Sequence, residues 1–242
     1  MSKRTTTSPT SNHAVRSFER FFEGWLVRQE HYLDELNSKL QTGHESRDED
    51  LKDLITRVLG HYQQYYEEKS RVANRDVFLV FAPTWFTPFE RTFFWIAGFK
   101  PGLAFRMMAS LVDDLSEEQG RRMDRLKEET KAEERELANE LARIQESVAA
   151  PPMVELARRG GRPPVDGEIG ETEDVIEVLR SAMEAVLGSA DMLRTRTAER
   201  VAEILSPVQN VKFLAAATQL QLKIRVLGLQ KEAERRVASR GW

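Results

Sequence analysis

The stretch Val77-Phe-Leu-Val-Phe-Ala-Pro-Thr-Trp85 (VFLVFAPTW) decides the fold class of this chain, because it is the one run whose composition would suit a β-strand. Its β-branched and aromatic residues would fit a buried strand. No second strand-like run exists to pair with it, and a lone strand leaves its backbone N–H and C=O groups unsatisfied. We therefore predict a buried helix that ends near Pro83, and with it an all-α fold.

Helical patterns lie on both sides of this stretch. Apolar residues at steps of three and four predict helices over 15–40 and 51–66. Thr87-Pro88-Phe89-Glu90 supplies a hydroxyl N-cap, proline at the first helical position and glutamate three residues after the cap. This signal predicts a helix from Thr87 to Gly98, and Pro101 then opens a further helix.

One long helix is predicted near residues 117–149, capped by Ser116-Glu117-Glu118-Gln119. Its apolar stripe is interrupted at Thr130 and Glu133, so we expect the middle of the helix to project into solvent. The pattern favours a bundle helix with one exposed section over a coiled-coil seam, which remains the alternative.

The glycine- and proline-rich stretch 158–171 predicts a mobile loop. A helix follows it and ends at Ser206-Pro207, and the last helix starts on that pair and reaches Gly228. The chain is therefore expected to form a single-domain bundle of about seven or eight helices over 15–236, with a disordered N-terminal tail over 1–14 and a tail over 237–242.

Composition sets limits on function. With 40% hydrophobic residues and a net charge of −3, the chain can bury a core and is neither disordered nor collagen-like. It has no cysteine, which excludes disulfides, thiolate metal sites and cysteine nucleophiles and suits a reducing compartment. No apolar run reaches the roughly 20 residues that cross a bilayer. We expect no membrane span and a nuclear and/or cytoplasmic protein.

Motifs that carry catalysis are missing from the sequence. None of the four histidines has glutamate three residues before it, which di-iron helical bundles require. Neither a zinc-protease motif, a nucleophile elbow nor a Walker lysine is found. We therefore predict no catalytic residue, no metal site and no enzyme. His31 and His61 lie beside apolar stripes, where a structural role is the expected one.

The most unusual composition lies between Phe78 and Phe105, where phenylalanine and tryptophan are concentrated. A densely packed core at a junction of helices is one interpretation. The other is an aromatic-lined groove for a partner helix or an apolar ligand such as a fatty acid. The candidate binding residues in this region are Trp85, Phe86, Trp95 and Phe99.

Three segments together resemble a known plant domain. They are Phe18–Leu40, Val77–Pro101 with its blocks WFTPFER and WIAGFKP, and Ala190–Gly228 with its block LSPVQNVKFL. In this order they resemble the domain shared by the Delay-of-Germination seed-dormancy proteins and the C-terminal halves of TGA-type bZIP transcription factors. The resemblance covers about residues 15–230. It implies an all-helical fold and a regulatory role in dormancy, abscisic-acid or stress signalling through protein–protein contact.

The resemblance also suggests partners. In the dormancy proteins an acidic-aromatic segment in the first helix is linked with type 2C phosphatases, and this chain keeps Phe22 and Trp25 but lacks the leading acid. Transcription regulators are the other implied partners. Only a short tail precedes the first helix, so we expect no direct bZIP-type DNA binding. Haem is associated with the family through C-terminal histidines, and the absence of histidine after His61 argues against it.

Self-association is the last expectation. The long helix offers more length than a bundle of this size needs, and the resemblance includes domains that dimerise without their zippers. We predict a homodimer that uses the C-terminal helix or the following residues of the long helix: Leu137, Leu141, Ile144 and Val148.

Overall fold

The computed structural model describes residues 9–42, 47–151, 154, 158 and 166–239, and these form helices without any strand. The eight helices of this part of the chain are α1 (Pro9–Thr42), α2 (Asp48–Ala73), α3 (Val77–Phe81), α4 (Pro88–Arg91), α5 (Leu103–Leu111), α6 (Glu117–Ser147), α7 (Asp166–Ile204) and α8 (Pro207–Ala238). The predicted all-α fold is confirmed. In particular, the stretch that could have been a strand forms α3, and Asp76 caps it by accepting a hydrogen bond from the backbone N–H of Phe78.

Helix α4 begins where the sequence predicts it and ends much earlier. Thr87 and Glu90 form the reciprocal capping box, with Pro88 in the first helical position. The predicted continuation to Gly98 is wrong, since the helix stops at Arg91 and the chain turns through Ile96 and Ala97, both with positive φ. The carbonyl groups of this turn accept hydrogen bonds from the distant Arg194 instead of from the next helical turn.

The long helix α6 confirms the predicted cap and length, but its middle is not in solvent. Thr130 is 1% exposed and its hydroxyl lies 3.5 Å from that of Thr197 on α7. Glu133 forms an ion pair with Arg196 of the same helix α7. The polar interruption of the stripe is therefore a polar contact between α6 and α7, because α7 presents matching polar groups at the same level.

Other helix ends also differ from the predicted ones. Helix α1 begins at Pro9, inside the predicted tail, as proline suits the first turn of a helix. Helix α7 begins at Asp166, so the end of the predicted loop 158–171 is helical, and residues 159–165 lie outside the described residues. Helix α8 passes Gly228 and reaches Ala238, which also places the start of the predicted tail 237–242 in a helix. Residues 1–8 and 240–242 lie outside the described part.

The apolar side chains are buried in three connected clusters. The largest joins α1, α2, α5, α6, α7 and α8 around Leu54, Val58 and Met108. The second joins α1, α2 and α3 around Trp25 and Val77. The third lies mainly between α6 and α7. The first two meet at Tyr62 of α2, and a pocket opens beside this residue.

Candidate ligand and partner sites

A pocket of about 520 Å³ lies between α2, α5, α7 and α8. Its volume falls in the range of small-molecule sites. The lining is mainly apolar, and its large apolar side chains include Leu59, Phe99, Met107, Phe213, Leu214 and Leu220. Two groups of polar side chains also belong to the wall: Lys100 and Arg194, from the turn after α4 and from α7, and Tyr62 and Gln221, from α2 and α8. The arrangement can hold an apolar molecule and bind one polar group of it.

Arg194 connects this pocket with the turn after α4. Its guanidinium donates to the carbonyl oxygens of Phe99 and Ile96, each at 2.8 Å, and also to that of Trp95. A further N–H donates to Asp191 at 2.5 Å. The turn that carries Phe99 and Lys100 into the pocket wall is thus held by one side chain of α7.

Behind Arg194, the same carboxylate also receives Lys69. Its Nζ lies 2.8 Å from Asp191 Oδ1, and the lysine side chain is 1% exposed. Burial lowers the pKa of Lys69 to about 8, against the opposing effect of Asp191. One carboxylate therefore serves two buried cations, Lys69 and Arg194.

Lys100 is likewise paired within the chain. Its Nζ lies 3.3 Å from Glu134 Oε2 on α6, whose other oxygen accepts the backbone N–H of Gly102 at 2.6 Å. The Glu134 carboxylate is buried. This contact holds the start of α5 against α6, and it leaves the Lys100 ammonium group in the pocket wall paired with a carboxylate.

Tyr62 and Gln221, the second polar group in the pocket wall, belong to an uncharged hydrogen-bond network. Gln29 Nε2 donates to the Tyr62 hydroxyl at 2.5 Å and to Gln221 Oε1 at 3.2 Å, and the Tyr62 hydroxyl lies 3.2 Å from that of Thr218. Burial raises the pKa of Tyr62, so its hydroxyl stays protonated. Tyr62 and Gln221 belong to the pocket wall, whereas Gln29 and Thr218 are fully buried behind them.

The aromatic residues singled out in the sequence lie mainly in the core. Phe22, Trp25 and Trp85 are buried in one cluster, and Trp25 donates its indole N–H to the carbonyl of His61 at 2.9 Å. Since these three side chains are at most 6% exposed, none of them offers a surface to a partner or a lining to the pocket.

The other three aromatic candidates are partly buried. Phe86 packs edge-on against Phe22 and Phe94, and Phe94 in turn contacts Phe99. Trp95 packs against the cluster between α6 and α7. Of the six candidates, Phe99 alone belongs to the wall of the large pocket.

The long-helix residues proposed for dimerisation lie mostly inside the chain. Ile144 is buried between α6 and α7, and Leu137 and Leu141 pack against the same cluster. Val148 is 45% exposed at the end of α6. The four residues therefore do not form one free surface. The homodimer itself stays a prediction, with the surface along α8 as the alternative contact.

Sequence reasoning missed the pocket residues because they have ordinary local roles. Tyr62 and Leu59 fit the apolar stripe of α2, and Arg194 resembles a solvated helix residue in the sequence. A signal was present in Gln29, a polar residue within the apolar stripe of α1, which is the position expected for a buried hydrogen-bond network. The partners of Gln29 could not be read from the sequence, since Thr218 and Gln221 are far along the chain.

His61 is the histidine with a distinctive environment. Its ring stacks on Trp25 at 4.5 Å between centroids, and the residue is buried. Burial, with a smaller contribution from the charge of Arg28, lowers its pKa to about 4. No group of three or more potential metal ligands is found among the described residues. The structural role expected for His61 is consistent with these contacts.

The WFTPFER block connects α4 to α8. Arg225 donates to the carbonyl of Trp85 at 2.8 Å and to Glu90 Oε2 at 3.0 Å. Gly228 packs so closely against Thr87 that an added Cβ would lie 2.1 Å from the threonine hydroxyl oxygen. The conspicuous residues of this block thus hold α4 against α8. Separately, no described helix is long and apolar enough to span a bilayer.

The all-helical fold and the apolar pocket do not by themselves identify the class of this protein. Comparison with known proteins identifies its class, since residues 32–110 match the DOG1 family model, described as seed dormancy control. The chain is 38% identical to Protein RESPONSE TO ABA AND SALT 1 of Arabidopsis thaliana over 87% of this chain and 94% of that protein. It is 33% identical to Protein DOG1-like 4 of the same plant over 91% and 96% of the two chains. The chain belongs to the DOG1 family.

The comparison also extends to transcription factors. The chain is 25% identical to Transcription factor TGA2.3 of Oryza sativa subsp. japonica, over 91% of this chain and 66% of that protein. It matches 58% of the length of Transcription factor TGA7 of Arabidopsis thaliana, at 29% identity. The resemblance recognised in the sequence, which linked the dormancy proteins to TGA factors, is confirmed.

Proposed function

We propose that this protein is a non-enzymatic regulator of plant dormancy, abscisic-acid or stress signalling that acts by binding other proteins in the nucleus and/or cytoplasm. The observation that supports this role is the near full-length similarity to Protein RESPONSE TO ABA AND SALT 1 and Protein DOG1-like 4. The similarity to TGA factors supports transcription regulators as partners. Type 2C phosphatases follow from the family resemblance alone.

The outer face of α1 is the surface we propose for the phosphatase. Phe22 and Trp25 point into the core, so a partner at this segment would contact the exposed side chains on the opposite face, Arg20, Glu23 and Val27. Val27 is 53% exposed, so a substitution there changes this face without disturbing the core.

The test is calorimetric titration of the full chain with a type 2C phosphatase and, separately, with the DOG1-like region of a TGA factor. Val27→Glu should weaken phosphatase binding at least tenfold and leave thermal unfolding unchanged. Val178→Glu, at an exposed valine of α7, is the matched control and should bind like the wild type. If Val27→Glu bound the phosphatase as tightly as Val178→Glu and the wild type, the α1 surface would be excluded. If neither the phosphatase nor the TGA-factor region bound to the chain, the proposed partners would be wrong.

A second candidate function is supported by the pocket. In this role the protein is a sensor whose partner choice changes when an apolar, fatty-acid-like molecule occupies the space between α2, α5, α7 and α8. Within the aromatic region Phe78–Phe105, to which the sequence assigned this ligand, Phe99 lines the pocket, whereas Trp85 is buried in the core. Native mass spectrometry of protein purified without detergent tests this function: a bound mass of a few hundred daltons is expected, and the bare chain mass would count against it.

A further inference from the structure

The charges around the large pocket are balanced within the protein. Three cations lie at its wall or directly behind it: Lys69, Lys100 and Arg194. Asp191 pairs with two of them and Glu134 with the third, and Glu199 adds an exposed carboxylate to the wall. Arg194 also donates to three backbone carbonyl groups. An anionic ligand would therefore meet no unpaired cation among the described residues of this wall.

Uncharged hydrogen-bonding groups belong to the same pocket wall at Tyr62 and Gln221. The Gln221 side-chain oxygen accepts from Gln29 and, at 3.4 Å, from Tyr62. The Gln221 side-chain N–H donates to no other described residue, which leaves it for a ligand atom in the pocket. The Gln29 Oε1 oxygen in the same network is buried and has no partner among the described residues. Because Gln29 is fully buried behind the wall, Tyr62 and Gln221 are the residues of this network that can offer neutral hydrogen bonding to a ligand.

We propose that the pocket binds an uncharged, mainly apolar molecule whose single hydroxyl or carbonyl group lies at Gln221. The inference rests on the second candidate function, keeps the apolar chain of its fatty-acid-like ligand and replaces the carboxylate by a neutral head group. A carboxylate that enters this pocket loses its hydration without gaining a cation, whereas a hydroxyl gives up far less and can both donate and accept hydrogen bonds. Apolar contact with residues such as Leu59 and Met107 supplies the main attraction.

A matched pair of probes tests the ligand class on the wild-type chain. Calorimetric titration with 1-decanol and with decanoate, at about pH 8 and below micellar concentrations, compares one hydrocarbon tail with a neutral and a charged head. The alcohol should bind at least tenfold more tightly. Equal or tighter binding of decanoate would overturn the proposal, and so would the absence of decanol binding up to its solubility limit.

Three variants locate the bound molecule. Ala104→Phe adds a ring to the pocket wall and should weaken decanol binding at least tenfold, whereas Ala109→Phe, at an exposed alanine of the same helix α5, should leave it unchanged. Gln221→Leu should weaken decanol binding severalfold by removing the neutral head-group contact. Equal decanol affinity of all three variants would place the ligand elsewhere and overturn the proposal.

The proposed protein-binding role has a separate readout. If decanol binds as expected while phosphatase and TGA-factor affinities are the same with and without it, the ligand site stands and the sensor function fails. If no probe binds while the protein partners do, the ligand class fails and the regulator function stands.

Discussion

At the scale of single residues, Asp191 compensates the charges of two buried cations. Its carboxylate faces Lys69 and Arg194, both buried, and the side chain itself is mostly buried. Removing one partner of a buried ion pair leaves an uncompensated charge, which is costly because the charge cannot regain its hydration. The two cations depend on one anion, so the three residues should respond unequally to substitution.

We expect Asp191→Asn to lower the free energy of unfolding by about 3–5 kcal/mol, because two buried cations lose their compensating charge. Lys69→Met should cost less, roughly 1.5 kcal/mol or below, since the Asp191–Arg194 pair remains and the methionine keeps most of the apolar stem in place. Urea unfolding measures both changes. A larger loss for Lys69→Met than for Asp191→Asn would contradict the shared role of the carboxylate.

His61 predicts a dependence of stability on pH. The pKa of His61 is about 4 in the folded protein and 6.5 in the unfolded chain, so between these pH values the unfolded chain binds a proton that the folded protein does not. The stability that comes from the neutral, buried His61 is therefore fully present above pH 6.5 and is lost as the pH falls towards 4. The slope between these values reaches up to about 1.4 kcal/mol per pH unit.

The pH prediction is checked by urea unfolding at several pH values between 7 and 4.5. His61→Gln should reduce the slope relative to the wild type, whatever its effect on stability at pH 7. His31→Gln, at an exposed histidine of α1, is the control and should retain the wild-type slope. Parallel curves for wild type and His61→Gln would rule out His61 as the titrating group.

At the scale of helices, the contact between α4 and α8 depends on a missing side chain. Gly228 lies inside α8, where alanine would ordinarily be favoured by about 1 kcal/mol. The space for its Cβ is occupied by Thr87, whose hydroxyl caps α4. Glycine is therefore retained for close packing between helices.

Gly228→Ala should destabilise the protein by about 1–3 kcal/mol, because Thr87 must give way and the cap of α4 is disturbed. Gly188→Ala is the matched control, since Gly188 also lies inside a helix and nothing outside its own helix approaches the position of its Cβ. This control should stabilise the protein by about 0.5–1 kcal/mol. Thermal unfolding distinguishes the two, and stabilisation by both substitutions would disprove the close contact.

At the scale of the whole molecule, α8 carries the apolar surface best suited to self-association. Val226, Leu229 and Val237 are exposed and recur at helical spacing along one face of α8. A two-fold contact would use the same face on both copies. This surface is the C-terminal alternative that the sequence already suggested, and it is free where most of the long-helix residues are not.

Sedimentation equilibrium at micromolar concentration should give twice the 27.8 kDa of one chain. Leu229→Glu should restore the single-chain mass without loss of helicity, because a charge would be buried in the contact. Leu111→Glu, at an exposed leucine of α5, should remain dimeric. A single-chain mass for the wild type across the concentration range would refute the homodimer.

The sequence by itself determined the features that arise from neighbouring residues. Thr87, Ser116 and Ser206 each accept a hydrogen bond from the residue three positions ahead, which is why the starts of three helices were predicted correctly. The absence of a second strand-like run was likewise enough for the fold class. The family resemblance rests on the same blocks, since the capping residues of α4 and α8 lie within them.

The tertiary structure alone decided the turn after α4, the burial of Thr130 and the position of the pocket. Each depends on partners far apart in the chain: Arg194 binds the carbonyl groups of residues 95, 96 and 99, Thr130 faces Thr197, and Gln29 meets Gln221. Local propensity continues α4 to Gly98 and exposes the middle of α6, because it contains no information about a polar group delivered by another helix. Long-range hydrogen bonding and packing therefore determined the candidate site, whereas local hydrogen bonding determined where the helices begin.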